Sequence, residues 1–295
     1  MKISKLFEEK KLVYSFEIFP PKIDSDISVI YKTLDGLKDI NPDYLSVTYS
    51  AGGGSNNSRS IEIASLVKNK YNIEALAHLT CINSTKEETL NVIKKLKSEG
   101  IENILTLRGD RVPGKECTDF KYASDLVNFV KESGMDFDMA GACYPEGHPE
   151  SATLDEDIDN LKRKVDSGIT HLNTQLFFDN EDFYRFIDKV RAAGINVPIQ
   201  AGIMPVVKQA TITRTIAMTG VKVPSKLSRV IARFADNPDG LVEAGTLYAV
   251  DQIADLANSG ACQGIHVYIM NNAQIAAKIT NDVKSLIDGI NNRKW

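Results

Sequence analysis

Eight short, β-prone apolar runs recur along the chain, each followed by a longer stretch of helical period, and no other feature narrows the fold as far. The runs are Val13–Phe19, Tyr44–Tyr49, Ala75–Cys81, Asn103–Leu107, Asp138–Cys143, His171–Gln175, Pro198–Ile203 and Gly264–Tyr268. Strands that alternate with helices form parallel sheets, because a parallel crossover needs a connection long enough to carry the chain back. The helices between them have legible ends. Leu90, Val92, Ile93 and Leu96 follow the turn-forming Asn83-Ser84-Thr85 and stop at Gly100. Ile158, Leu161 and Val165 stop before Gly168, and Phe183, Phe186, Ile187 and Val190 before Gly194. Glycine at these ends supplies the left-handed residue that turns a helix back to its sheet.

Eight such units in 295 residues favour a closed (β/α)8 TIM barrel, an α/β fold that typically takes about 250. The surplus is placed in additional helices around Ser225–Ala235 and Ala273–Ile290. A doubly wound open sheet is the alternative, but no G-x-G-x-x-G follows the first strand, where a dinucleotide fold carries one. With no linker or shift in composition, residues 1–295 read as a single domain. The formal net charge of −4 argues against a general affinity for nucleic acid or anionic membrane. The opening residues lack a signal peptide's apolar core, and no apolar run reaches membrane-spanning length, so the expectation is a cytoplasmic protein. Cys81, Cys117, Cys143 and Cys262 form no C-x-x-C pair and read as structural thiols.

In a barrel of this kind the active site is built at the C-terminal ends of the strands, so the polar residues there are the candidates. The first strand carries Glu17 between Phe16 and Ile18 and runs into Pro20-Pro21-Lys22. A carboxyl in an apolar setting keeps its proton, as a general acid needs. The same residue placed on the outer face and paired with a helix lysine is an equal reading. His78 in the third strand reads as a hydrogen-bonded core residue or as a catalytic one. The fourth strand ends abruptly in Arg108-Gly109-Asp110-Arg111, and the fifth in the stiff polar loop Tyr144-Pro145-Glu146-Gly147-His148-Pro149-Glu150. In the following helix Asp157, Asn160, Arg163 and Lys164 share roughly one face, suited to hydroxyls and phosphates or simply to solvent. Gln175, backed by Phe177 and Phe178, suits a planar heterocycle that donates and accepts hydrogen bonds. No metal-ligand spacing appears, and Gly52-Gly53-Gly54 lacks the ending of a phosphate loop and reads as a flexible rim.

Six segments together resemble the methylenetetrahydrofolate reductase family, in its short bacterial FAD-dependent form without a regulatory domain. They are Ser15–Lys22, His78–Cys81, Leu107–Asp110, Tyr144–Glu150, Asn160–Val165 and Thr174–Asp179, in register over about Tyr14 to Tyr268. The resemblance implies an FAD-containing barrel that reduces 5,10-methylenetetrahydrofolate to 5-methyltetrahydrofolate. Its donor is NADH or NADPH, working in a ping-pong cycle through the flavin. It makes Glu17 and Asp110 the catalytic carboxylates: Glu17 helps open the folate imidazolidine ring, and Asp110 lies near the flavin and contacts the pterin. Arg108, Gly109, Tyr49, Ala51, His78, Ala123, Tyr144 and His148 match flavin-contacting positions. Asp157, Asn160, Arg163 and Lys164 match the helix that holds the ribityl and phosphate portions. Gln175 matches a position shared by pterin and nicotinamide, and Thr48 one on the nicotinamide side. The family is often oligomeric.

The last third departs from the family pattern. Thr211 and Thr215, with Gln209 slightly early, stand where a Gln and a Phe often do, and Asn272 stands in place of an arginine that meets the folate tail. These departures motivate a second reading, in which an iron–sulfur partner protein supplies the electrons. A redox-silent pterin-binding barrel is a third.

Overall fold

A computed structural model of the chain describes residues 1–21, 26–49, 56–114, 117 and 119–292. The strands are β1 (Val13–Ile18), β2 (Tyr44–Val47), β3 (Glu74–Thr80), β4 (Asn103–Leu107), β5 (Asp138–Cys143), β6 (His171–Thr174), β7 (Ile199–Ile203) and β8 (Gly264–Tyr268). Every neighbouring pair is parallel, and β1 pairs with both β2 and β8, so the sheet closes in chain order. The eight expected strands are thus present to within a residue or two, and the open-sheet alternative falls.

Among the described residues the helices are α1 (Leu6–Glu9), α2 (Ser28–Leu37), α3 (Asn56–Asn69), α4 (Lys86–Ser98), α5 (Ala123–Glu132), α6 (Leu154–Asp166), α7 (Asn180–Ala192), α8 (Gln209–Thr219), α9 (Ser225–Arg233), α10 (Pro238–Ser259) and α11 (Ala273–Asn292). None of them is long and apolar enough to cross a membrane. Thr85 opens α4 with a capping box: its hydroxyl accepts from Glu88 N at 3.1 Å, and the Glu88 carboxylate accepts from Thr85 N at 2.8 Å. Gly100 and Gly194 adopt φ of +78° and +75°, the left-handed turn expected of them. The 22-residue α10 has no counterpart in the sequence reading. It starts at Asn237, whose side chain accepts from Gly240 N, and its apolar residues give no single stripe because α7, α9, α11 and β7 pack around it.

Strand alternation separates two interiors. Outward, Tyr14, Phe16 and Ile18 of β1 join the main core under the helices, each contributing about 1.5–3 kcal/mol by full burial. Inward, at the N-terminal end, Val13, Leu76, Leu105 and Ala140 make an apolar plug with Ile3 and Leu6 from the chain start. Higher up, the inward positions turn polar: Ser15, Ser46, Asn173, Gln200 and His266 are all buried. A TIM barrel ordinarily fills these layers with branched apolar side chains, so this interior is built for something other than packing. Cys81, Cys143 and Cys262 are buried free thiols and Cys117 is a partly exposed one.

Candidate functional site

Because all eight strands run in the same direction, their C-terminal ends open at one mouth, and Glu17 sits there near the end of β1. Its side chain points into the barrel interior. Oε2 lies 3.5 Å from His78 Nε2 and 3.6 Å from His266 Nε2, with one-fifth of the side chain still exposed. The outer-face reading of Glu17, with a helix lysine as partner, is therefore wrong: strand phase places Phe16 and Ile18, not Glu17, under the helices.

His78 is a buried, hydrogen-bonded residue, its Nε2 2.6 Å from Ser46 Oγ, and it also borders Glu17. Burial pushes its pKa down to about 4, against an opposing pull from Glu17. The ring is thus neutral near pH 7, so it places no full positive charge against the carboxyl. Reading the sequence residue by residue missed His266, Ser15, Ser46 and Gln200. The available signal was the alternation Gly264-Ile265-His266-Val267-Tyr268, whose small and polar members all share the phase of the inner face.

The Arg108-Gly109-Asp110 turn is shaped by its backbone. Cys81 N and Ile82 N both donate to Arg108 O. Gly109 has φ of +82°, and a Cβ there would stand 2.9 Å from Thr80 Cβ, so no other residue fits without strain. Asn83 braces the next residue by donating from Nδ2 to Asp110 O at 2.7 Å, leaving the Asp110 side chain exposed at the mouth. The Arg108 guanidinium makes a two-pronged ion pair with Glu150, at 2.5 and 2.6 Å. That pair ties the β4 rim to the β5 loop.

Between these loops and α6 lies a polar cavity of about 650 Å³, within the usual range for a bound small molecule. It gathers Arg108, Tyr144 and His148 from the strand ends and loops, and Ala123 from the start of α5. From α6 it takes Asp157, Asn160, Arg163 and Lys164. The α6 face is more than a solvated charge stripe. Asp157 is buried, accepts from His148 N at 3.1 Å and Ser151 Oγ at 3.2 Å, and has its pKa raised by burial. Lys164 donates to Ala142 O, and burial lowers its pKa. Arg163 donates to the side-chain oxygen of Asn160. Tyr144 and His148 meet edge to face at 4.8 Å, and burial pushes the Tyr144 phenol up to about 12.

The remaining candidates lie outside this cavity. Gln175 folds its Oε1 back onto Leu176 N at 2.9 Å, next to Thr174, whose carbonyl takes the Tyr268 hydroxyl at 2.6 Å. Thr48 N donates to Ile18 O at 3.0 Å, and the partly buried Tyr49 packs on the main core. Ala51, Lys22 and the Gly52-Gly53-Gly54 run lie outside the described residues. Thr211 and Thr215 sit on α8, where Thr215 donates to Met204 Sδ. Asn272 is the N-cap of α11, accepting from Ile275 N at 3.2 Å.

A family model described as methylenetetrahydrofolate reductase matches residues 2–284. The 5,10-methylenetetrahydrofolate reductase of Escherichia coli (strain K12) is 36% identical over 265 residues, covering 90% of this chain and 88% of that protein. Methylenetetrahydrofolate reductase 1 of Schizosaccharomyces pombe is 36% identical over 286 residues, covering 95% of this chain and 47% of its own length. Among solved structures, an uncharacterised Clostridium thermocellum protein, described as binding two copies of 5-methyl-5,6,7,8-tetrahydrofolic acid, superposes with a TM-score of 0.65. It covers 97% of this chain and 100% of its own at 13% identity, a likeness of fold alone.

Proposed function

The chain belongs to the methylenetetrahydrofolate reductase family, and from that membership we propose that it reduces 5,10-methylenetetrahydrofolate on a bound FAD, with NADH or NADPH as hydride donor. The observation that carries the reading is the Glu17 carboxyl and a cavity lined by cations and hydrogen-bonding side chains, both at the C-terminal ends of the strands. The residues present suit the cofactor. Lys164 and Arg163 supply cations for a diphosphate, and Asp157 and Asn160 face the same cavity as partners for ribityl hydroxyls. When bound, the flavin would take a hydride from the nicotinamide and give one to the folate methylene carbon, donor and folate alternating in a ping-pong cycle.

The protein's own work is then positioning and proton supply. Glu17, held in the mouth by β1, delivers a proton to a nitrogen of the folate imidazolidine ring and so opens it to the reactive iminium. Asp110, exposed on its braced turn, offers a carboxylate to the pterin edge. Beside a bound flavin its negative charge would favour hydride donation. Gln175, with both donor and acceptor in its amide, serves pterin and nicotinamide in turn, and Thr48 lies on the nicotinamide side. Arg108 acts through its Glu150 pair as a brace of the cavity rim. Residues 1–295 work as one catalytic domain in this reading.

A second reading keeps the flavin but draws electrons through an iron–sulfur partner. It is favoured by Thr215 and Asn272, which are engaged with Met204 and α11 and leave no aromatic or arginine at those positions. The test is the visible spectrum of the purified protein, followed by NADH without oxygen. Yellow protein that bleaches promptly supports the first reading, and yellow protein that stays oxidised favours the partner. Colourless protein that FAD does not reconstitute refutes both and leaves a redox-silent pterin-binding barrel.

A further inference from the structure

His266 has no role in the site as described so far, yet its placement is the least explained feature of the barrel interior. The residue is 1% exposed. Its Nδ1 lies 2.8 Å from Ser15 Oγ, while Nε2 has no hydrogen-bond partner and stands 3.6 Å from Glu17 Oε2. A buried ring nitrogen without a partner is unfavourable and calls for a reason.

The surrounding network sets the direction of its proton. Gln200 Nε2 donates to Ser15 Oγ at 3.1 Å, so the Ser15 hydroxyl is free to donate its own proton to His266 Nδ1. Gln200 is held in that orientation because Tyr44 donates its hydroxyl to Gln200 Oε1, and Tyr44 in turn accepts from Asn173 Nδ2 at 3.1 Å. An imidazole that accepts at Nδ1 carries its proton on Nε2. Donation therefore runs one way, from Asn173 through Tyr44, Gln200 and Ser15 to His266, and ends facing Glu17. The other groups around this pair do not compete for the same nitrogen. His78 Nε2 is engaged with Ser46, and Tyr268 lies edge-on to the ring with its hydroxyl on Thr174 O.

We propose that His266 is a positioning residue for Glu17: its Nε2–H, set by Ser15 and Gln200, holds the Glu17 carboxyl on the inner face of the barrel and steadies the carboxylate left when that group gives up its proton. The inference rests on the reading of Glu17 as proton donor. His266 keeps its own proton throughout. The proton leaving Glu17 ends on the folate ring nitrogen, whose bond to the methylene carbon breaks with the electron pair staying on nitrogen. Water at the open mouth reprotonates Glu17.

The test compares His266→Leu, His266→Gln and Ser15→Ala in the full-length, flavin-loaded protein, with the donor and folate half-reactions followed separately across pH. His266→Leu is expected to lower the ratio of folate to donor half-reaction rates about tenfold or more and to move the pH limb of the folate step. His266→Gln puts an amide N–H close to the place of Nε2–H and is expected to recover most of that loss. A second readout needs no turnover: with four histidines in the chain, 15N NMR assigns the His266 tautomer directly, expected as Nε2–H in the parent and altered in Ser15→Ala. An Nδ1–H tautomer in the parent overturns the proposal, as does a His266→Leu protein with the parent's ratio and pH limb. If His266→Leu does not fold, the Ser15→Ala tautomer and pH limb decide. Glu17→Gln separates the two levels. Survival of the folate step in that variant refutes the acid reading itself, whereas its loss there and its persistence in His266→Leu refute only the positioning role.

Discussion

Acid should unfold this protein earlier than its carboxylates alone would dictate, because two histidines are sealed in the barrel as neutral rings. Burial pushes both His78 and His171 from an ordinary value of 6.5 down to about 4. Glu17 beside His78 and Asp138 beside His171 pull the other way, and His266 adds to the lowering at both. In the unfolded chain the two rings take up protons below about pH 6.5, whereas the folded chain refuses them until about pH 4. Stability is therefore complete above pH 6.5 and falls as the pH drops through that window. Each ring costs about 1.4 kcal/mol per pH unit once the window is entered. From pH 7 to pH 5 that is about 2 kcal/mol per histidine and about 4 kcal/mol together, a large share of the 5–15 kcal/mol typical of a folded domain. Urea unfolding at pH 7, 6 and 5 measures it directly. His171→Gln removes one titrating ring while keeping a polar side chain beside Thr170, and it should halve the loss. A stability that stays flat between pH 7 and pH 5, or a slope that His171→Gln leaves unchanged, would refute the claim that these rings are held neutral.

Three further outcomes are expected. Lys164→Met removes a buried cation from the cavity and should weaken FAD retention by about 10–100-fold, read from flavin released on dilution; undiminished affinity would place the phosphates elsewhere. Gly245→Ala drives a Cβ to 1.8 Å from Val206 O, a backbone atom that cannot step aside, and should cost about 3 kcal/mol with a clear drop in Tm. Asn272→Ala should cost about 1 kcal/mol through loss of the α11 cap while leaving the KM for folate in place; a raised KM would show that Asn272 still reaches the substrate.

Much of the site was legible because its residues cluster in short segments. Asp157, Asn160, Arg163 and Lys164 share one helix, and spacing alone put them on one face; the fold added only that the face lines a cavity. Arg108, Tyr144 and His148 stood out as polar residues at strand ends, and they meet in that cavity. The partnership of Arg108 with Glu150, 42 residues on, was not legible. Neither was the N-cap role of Asn272, which in the sequence is only a departure from a family pattern. Helix α10 escaped because a helix covered on several sides shows no amphipathic stripe.

The sequence by itself determined the barrel. The alternation of eight apolar runs with glycine-ended helices is local information, and a closed parallel sheet satisfies every strand edge it creates. What only the tertiary structure decided is the surroundings of Glu17. Its phase in β1 was an even choice from residues alone. The partners that settle it come from other strands, His78 from β3 and His266 from β8, with Ser15 hydrogen-bonded to a histidine 251 residues away. Periodicity tells a chain which residues share a face, but which face turns inward is set by closure, when the last strand returns to lie against the first.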